Sequence, residues 1–258
     1  MIMLSLLLSI TFSLLSQNND AKEIMRRSQQ VTRLAGLETQ TTLEIRDDKG
    51  NVRTRKTLMA SRLFQDGTEK RVILFKEPAE VRGTGILIFD HPDKEDDMWL
   101  YLPALRKTRK IVSTEKSRSF MGSEFSNSDL SVASLDPFQY RLEGEETMDG
   151  EACWKILITP VNSEVRSEYG FAEKLIWISK NDLVTRRAEL KDVNMKPWKE
   201  VSYGGIKLVD PANGRYFITR MEIINLQNRR SSLMTIEEVD FNPAVNPEYF
   251  TLSFIESQ

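Results

Sequence analysis

The sequence has one cysteine, Cys153, and one histidine, His91, among its 258 residues. A single thiol excludes an intrachain disulfide, so the chain carries no covalent mark of an oxidising compartment. One cysteine and one histidine also fall short of the several ligands that a zinc site takes. A Ser-His-Asp arrangement would have to use His91, and there is no Gly-x-Ser-x-Gly elbow to present the serine. A glycine-rich phosphate loop and a dinucleotide fingerprint are absent too. Neither sign of charge prevails: 36 basic side chains stand against 38 acidic ones, for a formal net charge of −2. Such a surface exerts no long-range pull on a polyanion, which argues against nucleic acid as a partner. Asp93, Glu95, Asp96 and Asp97 lack the spacing of an EF-hand and read as a solvated surface loop, with His91 at its start. Composition leaves paired carboxylates of the glycosidase kind open, because a β protein of this size has enough Asp and Glu.

Long apolar runs are scarce as well, and the one that stands out is Met1–Leu15, followed at once by the polar Ser16-Gln17-Asn18-Asn19-Asp20. That pattern matches a secretory signal segment and is short for a bilayer span, although no Lys or Arg precedes it. Cleavage is expected near Ser16–Gln17, and no cysteine lies nearby to carry an N-terminal lipid. The expectation is therefore a signal peptide at 1–16 and a single exported, soluble domain at 17–258. Cys153, within Ala152-Cys153-Trp154-Lys155-Ile156, reads as a buried structural thiol on a strand.

What remains is mostly β. Ala21, Ile24, Met25, Ser28, Val31 and Leu34 recur at helical spacing and predict a helix over Asp20–Leu34. After Gly36 the period changes to two. Strands of nearly ten residues alternate with polar turns such as Asp47-Asp48-Lys49-Gly50-Asn51, except over 104–136, which looks irregular apart from a helical turn near Ser126–Ala133. No βαβ rhythm, repeat or linker interrupts them. About eleven strands of this length favour one large antiparallel sheet that curls, with a concave face to be covered, filled or used to hold a ligand.

The stretch Met98-Trp99-Leu100-Tyr101-Leu102-Pro103 leads into the basic run Arg106-Lys107-Thr108-Arg109-Lys110. It is followed by Phe120-Met121-Gly122-Ser123-Glu124-Phe125-Ser126 and by Asp129-Leu130. With the ending Phe250-Thr251-Leu252, this combination resembles the outer-membrane lipoprotein-sorting protein family, a LolA-like branch of the lipoprotein carrier superfamily. The resemblance implies an incomplete antiparallel β-barrel of about eleven strands with covering helices. It also implies a periplasmic carrier or chaperone that binds acyl chains of a lipoprotein or lipid and delivers them towards the outer membrane. The branch often accompanies RND- or MMPL-type transporters. The alternative reading is thus a non-transporting accessory or sensor subunit of such an inner-membrane transporter. The chain is expected to be a monomer, with no enzymatic activity, cofactor or metal.

The physical case for a carrier is simple. Exposing acyl chains to water costs about 0.8 kcal/mol per CH₂, so two chains of about sixteen carbons cost on the order of 25 kcal/mol. A carrier needs a cavity that covers the tails yet releases them, and no catalytic group. Trp99 and Tyr101 share one face of their strand and Leu100 and Leu102 the other, so one pair is expected to line the cavity. Phe120, Met121 and Phe125 are apolar residues on a Gly- and Ser-containing loop, expected to dip into the cavity mouth as a plug or gate. Arg106, Lys107, Arg109 and Lys110 are candidates for a headgroup or partner, set against the plainer reading of a soluble strand edge. A regular strand would pair Lys107 with Arg109 on one face and Arg106 with Lys110 on the other.

Overall fold

The computed structural model describes residues 20–132 and 134–258. The apolar run Met1–Leu15 and the expected cleavage at Ser16–Gln17 lie outside them. A helix, α1, covers residues 20–32. Thirteen strands then form one antiparallel sheet. The first six are β1 (Gly36–Arg46), β2 (Val52–Leu63), β3 (Glu69–Glu77), β4 (Gly85–Asp90), β5 (Asp97–Leu102) and β6 (Lys107–Ile111). The other seven are β7 (Phe138–Met148), β8 (Glu151–Pro160), β9 (Phe171–Ser179), β10 (Thr185–Asp192), β11 (Pro197–Asp210), β12 (Arg215–Asn225) and β13 (Ser231–Asp240). Two short helices complete the set, α2 (Ser163–Tyr169) and α3 (Leu252–Glu256).

The order across the sheet is β6-β5-β4-β3-β2-β1-β13-β12-β11-β10-β9-β8-β7. The chain steps outward from β1 to the edge at β6. Residues 112–137 then carry it to the opposite edge at β7, and it steps back until β13 pairs with β1. The two edges do not pair with each other, so the barrel is open, and the crossing segment lies over the hollow side. This is the expected mainly-β open barrel, with thirteen strands rather than about eleven. The strand that periodicity overlooked is β6: four of its five residues are polar, so it shows no apolar alternation, and it is assigned only by pairing with β5. Helix α2 was likewise unforeseen, because seven residues are too few for a helical period. Its caps show it instead: Asn162 accepts the Val165 N–H at 2.9 Å, and Gly170 closes it at φ 76°.

Strand alternation sorts the apolar residues to two faces. On the concave side, Leu43 and Ile45 of β1, Ile73 and Phe75 of β3, Ile86 and Ile88 of β4, and Ile156 and Ile158 of β8 form the larger core with Ala21 and Ile24 of α1. The buried positions Ala21, Ile24 and Ser28 are the helical-spacing face read from the sequence. On the outer side, Ala60, Val72, Leu74 and Leu87 form a smaller core under the C-terminal segment, whose Val245, Phe250 and Ile255 are buried against them.

Candidate functional site

The concave side holds two adjoining cavities, of about 220 Å³ and about 130 Å³, which share Asp129 and Met221 in their walls. The larger has Leu37 and Leu43 of β1, Met59 of β2, Ile73 of β3 and Met234 of β13 as its floor, with Phe120, Phe125 and Leu130 above. The smaller lies between Met25 of α1 and the aromatic side chains of Phe138, Phe171, Trp198 and Tyr203. Methionine is the most adaptable apolar side chain, so a wall with Met59, Met221 and Met234 conforms to contents of varied shape.

The roof is a hairpin built from the loop singled out in the sequence. Ser119 and Ser126 bridge, the Phe120 N–H donates to the Phe125 carbonyl at 2.7 Å, and the Ser123 N–H closes a tight turn on the Phe120 carbonyl at 2.9 Å. Met121 at φ 50° and Gly122 at φ 77° are the two central residues, the double left-handed turn that suits a hairpin. The turn points both phenylalanines inward. Phe120 and Phe125 are buried, and the Phe120 ring lies 5.9 Å from that of Phe75. Met121 is half-buried against the same core.

Two polar fastenings hold the crossing segment down. The first is Glu124. Its carboxylate accepts from Asn225 Nδ2 at 2.7 Å and lies 3.2 Å from Arg230 Nε. Its N–H donates to Ser232 Oγ at 2.9 Å, and its carbonyl accepts from Lys199 Nζ at 2.6 Å. Arg230 Nη2 also donates to the Gly122 carbonyl at 2.7 Å. Burial pushes the Lys199 ammonium below its ordinary value, and it sits 4.2 Å from the centre of the Trp198 ring. The second fastening is Arg71 of β3. Its guanidinium donates to the Leu130 carbonyl, pairs with Glu69 at 2.7 Å and lies 4.0 Å from Asp90.

Asp90 is 5% exposed. Burial raises its carboxyl to about 7, against the opposing pull of Arg71. An unfolded Asp titrates near 3.9, so between pH of about 4 and 7 the folded chain holds a proton that the unfolded chain has lost. Stability from this group is therefore present below pH of about 4 and is lost as pH rises to about 7. Asp90→Asn is expected to leave stability almost unchanged at pH 4 and to raise it by about 2–4 kcal/mol at pH 8. Urea unfolding of both proteins at the two pH values checks this; an equal difference at both would contradict it.

The structure separates the residues of the signature strand. Leu100 and Leu102 belong to the concave core, whereas Trp99 and Tyr101 belong to the outer one, Trp99 meeting Phe89 at 5.1 Å between ring centres. None of the four lines the two concave cavities. The basic run does not extend as one strand. Pro103–Leu105 form a 3-10 turn and Arg106 follows at φ 48°, so it lies outside the strand rather than sharing a face with Lys110. Arg109 pairs with Glu115 at 2.7 Å and Lys110 with Asp97 at 2.5 Å, while Arg106 and Lys107 are exposed. His91 is not a free surface residue: its side chain is 11% exposed and Nε2 lies 3.0 Å from Asp97. Cys153 is buried, and burial pushes its thiol up.

The sequence reading missed Arg71, Lys199 and the methionine wall. Arg71 did carry a signal, a charged residue at an inward position of a strand otherwise filled by Ile73 and Phe75.

A protein-family profile described as "-like: Uncharacterized protein" matches residues 67–257. No curated protein sequence matches the chain significantly. Among solved structures, a domain from Vibrio parahaemolyticus named for outer-membrane lipoprotein sorting superposes with a TM-score of 0.84 at 21% identity, over 93% of this chain and 99% of that one. A DUF1329 family protein from Desulfovibrio piger gives 0.84 at 27% identity over the same shares. A LolA superfamily protein from Nitrosomonas europaea gives 0.69 at 16% identity, over 91% and 98%.

Proposed function

We propose that the chain, which belongs to the family matched over residues 67–257 and shares its fold with LolA-like proteins, is a periplasmic carrier or chaperone for the acyl chains of a lipid or lipoprotein. The observation that carries the reading is the apolar hollow of the concave face, walled by methionines and roofed by Phe120 and Phe125. The name of the Vibrio domain supports a lipoprotein cargo. Residues 1–16 are the export signal in this reading, and no helix of the described residues is long and apolar enough to cross a membrane. Catalysis has no part in it. Shielding a tail requires apolar walls, and release requires that the walls be movable. The hairpin of residues 119–126 serves as the gate: its phenylalanines fill the space that a longer chain would take. Arg106 and Lys107, exposed beyond the end of β5, are available to an anionic headgroup or membrane partner, whereas the pairs at Arg109 and Lys110 suit a solvated edge.

Titration with a dansyl-labelled undecanoic acid tests the gate. The double variant Phe120→Ala, Phe125→Ala, with folding checked by circular dichroism, is expected to bind the probe about tenfold more weakly, the loss of two aromatic contacts outweighing the space gained. Unchanged affinity in a folded double variant would remove these residues from the binding site.

A further inference from the structure

Arg55 stands on β2 with its side chain on the concave side. It lies directly across from Leu43 of β1, and both Leu43 and Thr57, two residues along its own strand, line the larger cavity. Its guanidinium carbon is 5.9 Å from the centre of the Phe75 ring, which in turn touches Phe120 of the roof. Yet Arg55 Nη1 is buried and has no hydrogen-bond partner among the described residues. The guanidinium is pushed below its ordinary value by burial and by the like charge of Arg53. Two other inward cations of the larger core are matched: Arg71 holds Glu69 and the Leu130 carbonyl, and Lys199 holds the Glu124 carbonyl.

A buried charged donor with no acceptor is costly, and the cost is recovered when an acceptor arrives with a ligand. Position indicates what kind of ligand. One neighbour along the concave face, Thr57, is in the apolar hollow; the other, Arg53, is exposed, beside the turn that joins β1 and β2. A cation placed where an apolar hollow gives way to solvent matches a molecule with a tail and an acidic head. Volume limits the tail. A dry cavity of about 150 Å³ takes one benzene, so the 220 Å³ here suits one slender chain rather than two. Arginine's planar fork suits an oxyanion, which accepts two parallel hydrogen bonds.

We propose that Arg55 anchors the anionic head, a carboxylate or phosphate monoester, of a single-chain amphiphile whose tail lies in the concave hollow. The proposal rests on the acyl-binding reading of that hollow and adds the charge and chain number of what it takes.

Calorimetric titration of the chain with dodecanoate, dodecyl phosphate, 1-dodecanol and inorganic phosphate, each amphiphile below its micelle concentration, tests it. The parent protein is expected to bind the two anionic amphiphiles at least about tenfold more tightly than the alcohol, the contribution of a charge-assisted hydrogen bond. Arg55→Gln is expected to bring them to the level of the alcohol and leave alcohol binding unchanged. Arg55→Lys is expected to keep part of the preference. Lys56→Gln, on the outer face beside Glu77, is expected to match the parent. Without ligand, Arg55→Gln is expected to melt no lower than the parent, since it removes an unmatched cation; a lower melting temperature would assign Arg55 a structural role and overturn the proposal. Equal binding of acid and alcohol, or unaltered preference in Arg55→Gln, would overturn the anchor and leave the acyl reading standing. Failure of every amphiphile to bind would overturn both. Inorganic phosphate binding as tightly as dodecyl phosphate would assign the site to a free oxyanion instead.

Discussion

Arg71→Met is expected to lower the unfolding free energy by about 3–5 kcal/mol at pH 8, the cost of taking one partner from a buried ion cluster. Arg71 is the counter-charge to Glu69 and Asp90, which are 6% and 5% exposed, and it is also a tie from the sheet to the crossing segment at the Leu130 carbonyl. Methionine fills similar volume, so the loss measures the charge and its hydrogen bonds rather than a cavity. At pH 5 Asp90 is neutral in the folded chain, its carboxyl being raised to about 7, and the deficit is expected to shrink. Urea unfolding at the two pH values reads both effects. A deficit below about 1 kcal/mol at pH 8, the scale of an exposed ion pair, would mean that the cluster is not a fastening.

Glu124→Ala is expected to cost about 2–4 kcal/mol, because it leaves the buried Asn225 amide without its acceptor and takes the paired carboxylate from Arg230, which keeps only the Gly122 carbonyl. For a chain of this size that is a fall of roughly 5–15 °C in melting temperature. The loss is expected to be local as well as global. Amide hydrogen exchange should quicken at Phe120 and Ser123, whose N–H groups close the roof hairpin. Global destabilisation with unchanged relative protection in the hairpin would show that Glu124 stabilises the sheet but does not hold the roof.

These fastenings also show where the sequence stops being informative. Period-two alternation made most strands legible, and the spacing of Ala21, Ile24 and Ser28 made α1 legible, because a side chain's face follows from local geometry. The strand β6 was not, since four of its five residues are polar and its single apolar residue, Ile111, makes no alternation. In the segment Trp99–Leu102 both faces are apolar; which one turns to the hollow is decided by Val245, Phe250 and Ile255, which cover the outer face from the far end of the chain. The hairpin roof escaped for a different reason. Its turn places Met121 at positive φ, which methionine does not favour, so nothing in its composition announced the geometry. Lys199 reaches Glu124 across 75 residues and Arg230 reaches Gly122 across 108, distances at which one sequence shows no pairing. The apolar character of Phe120 and Phe125 was legible; the polar hub that points them inward was not.

Native mass spectrometry addresses the acyl-carrier reading most directly. The chain, purified without detergent, would be incubated with a total bacterial lipid extract and passed through a desalting column before measurement. The expected spectrum shows the chain carrying one amphiphile of acyl-lipid mass, with that adduct reduced in the Phe120→Ala, Phe125→Ala variant. A spectrum of the bare chain alone would contradict a lipid-binding hollow on the concave face.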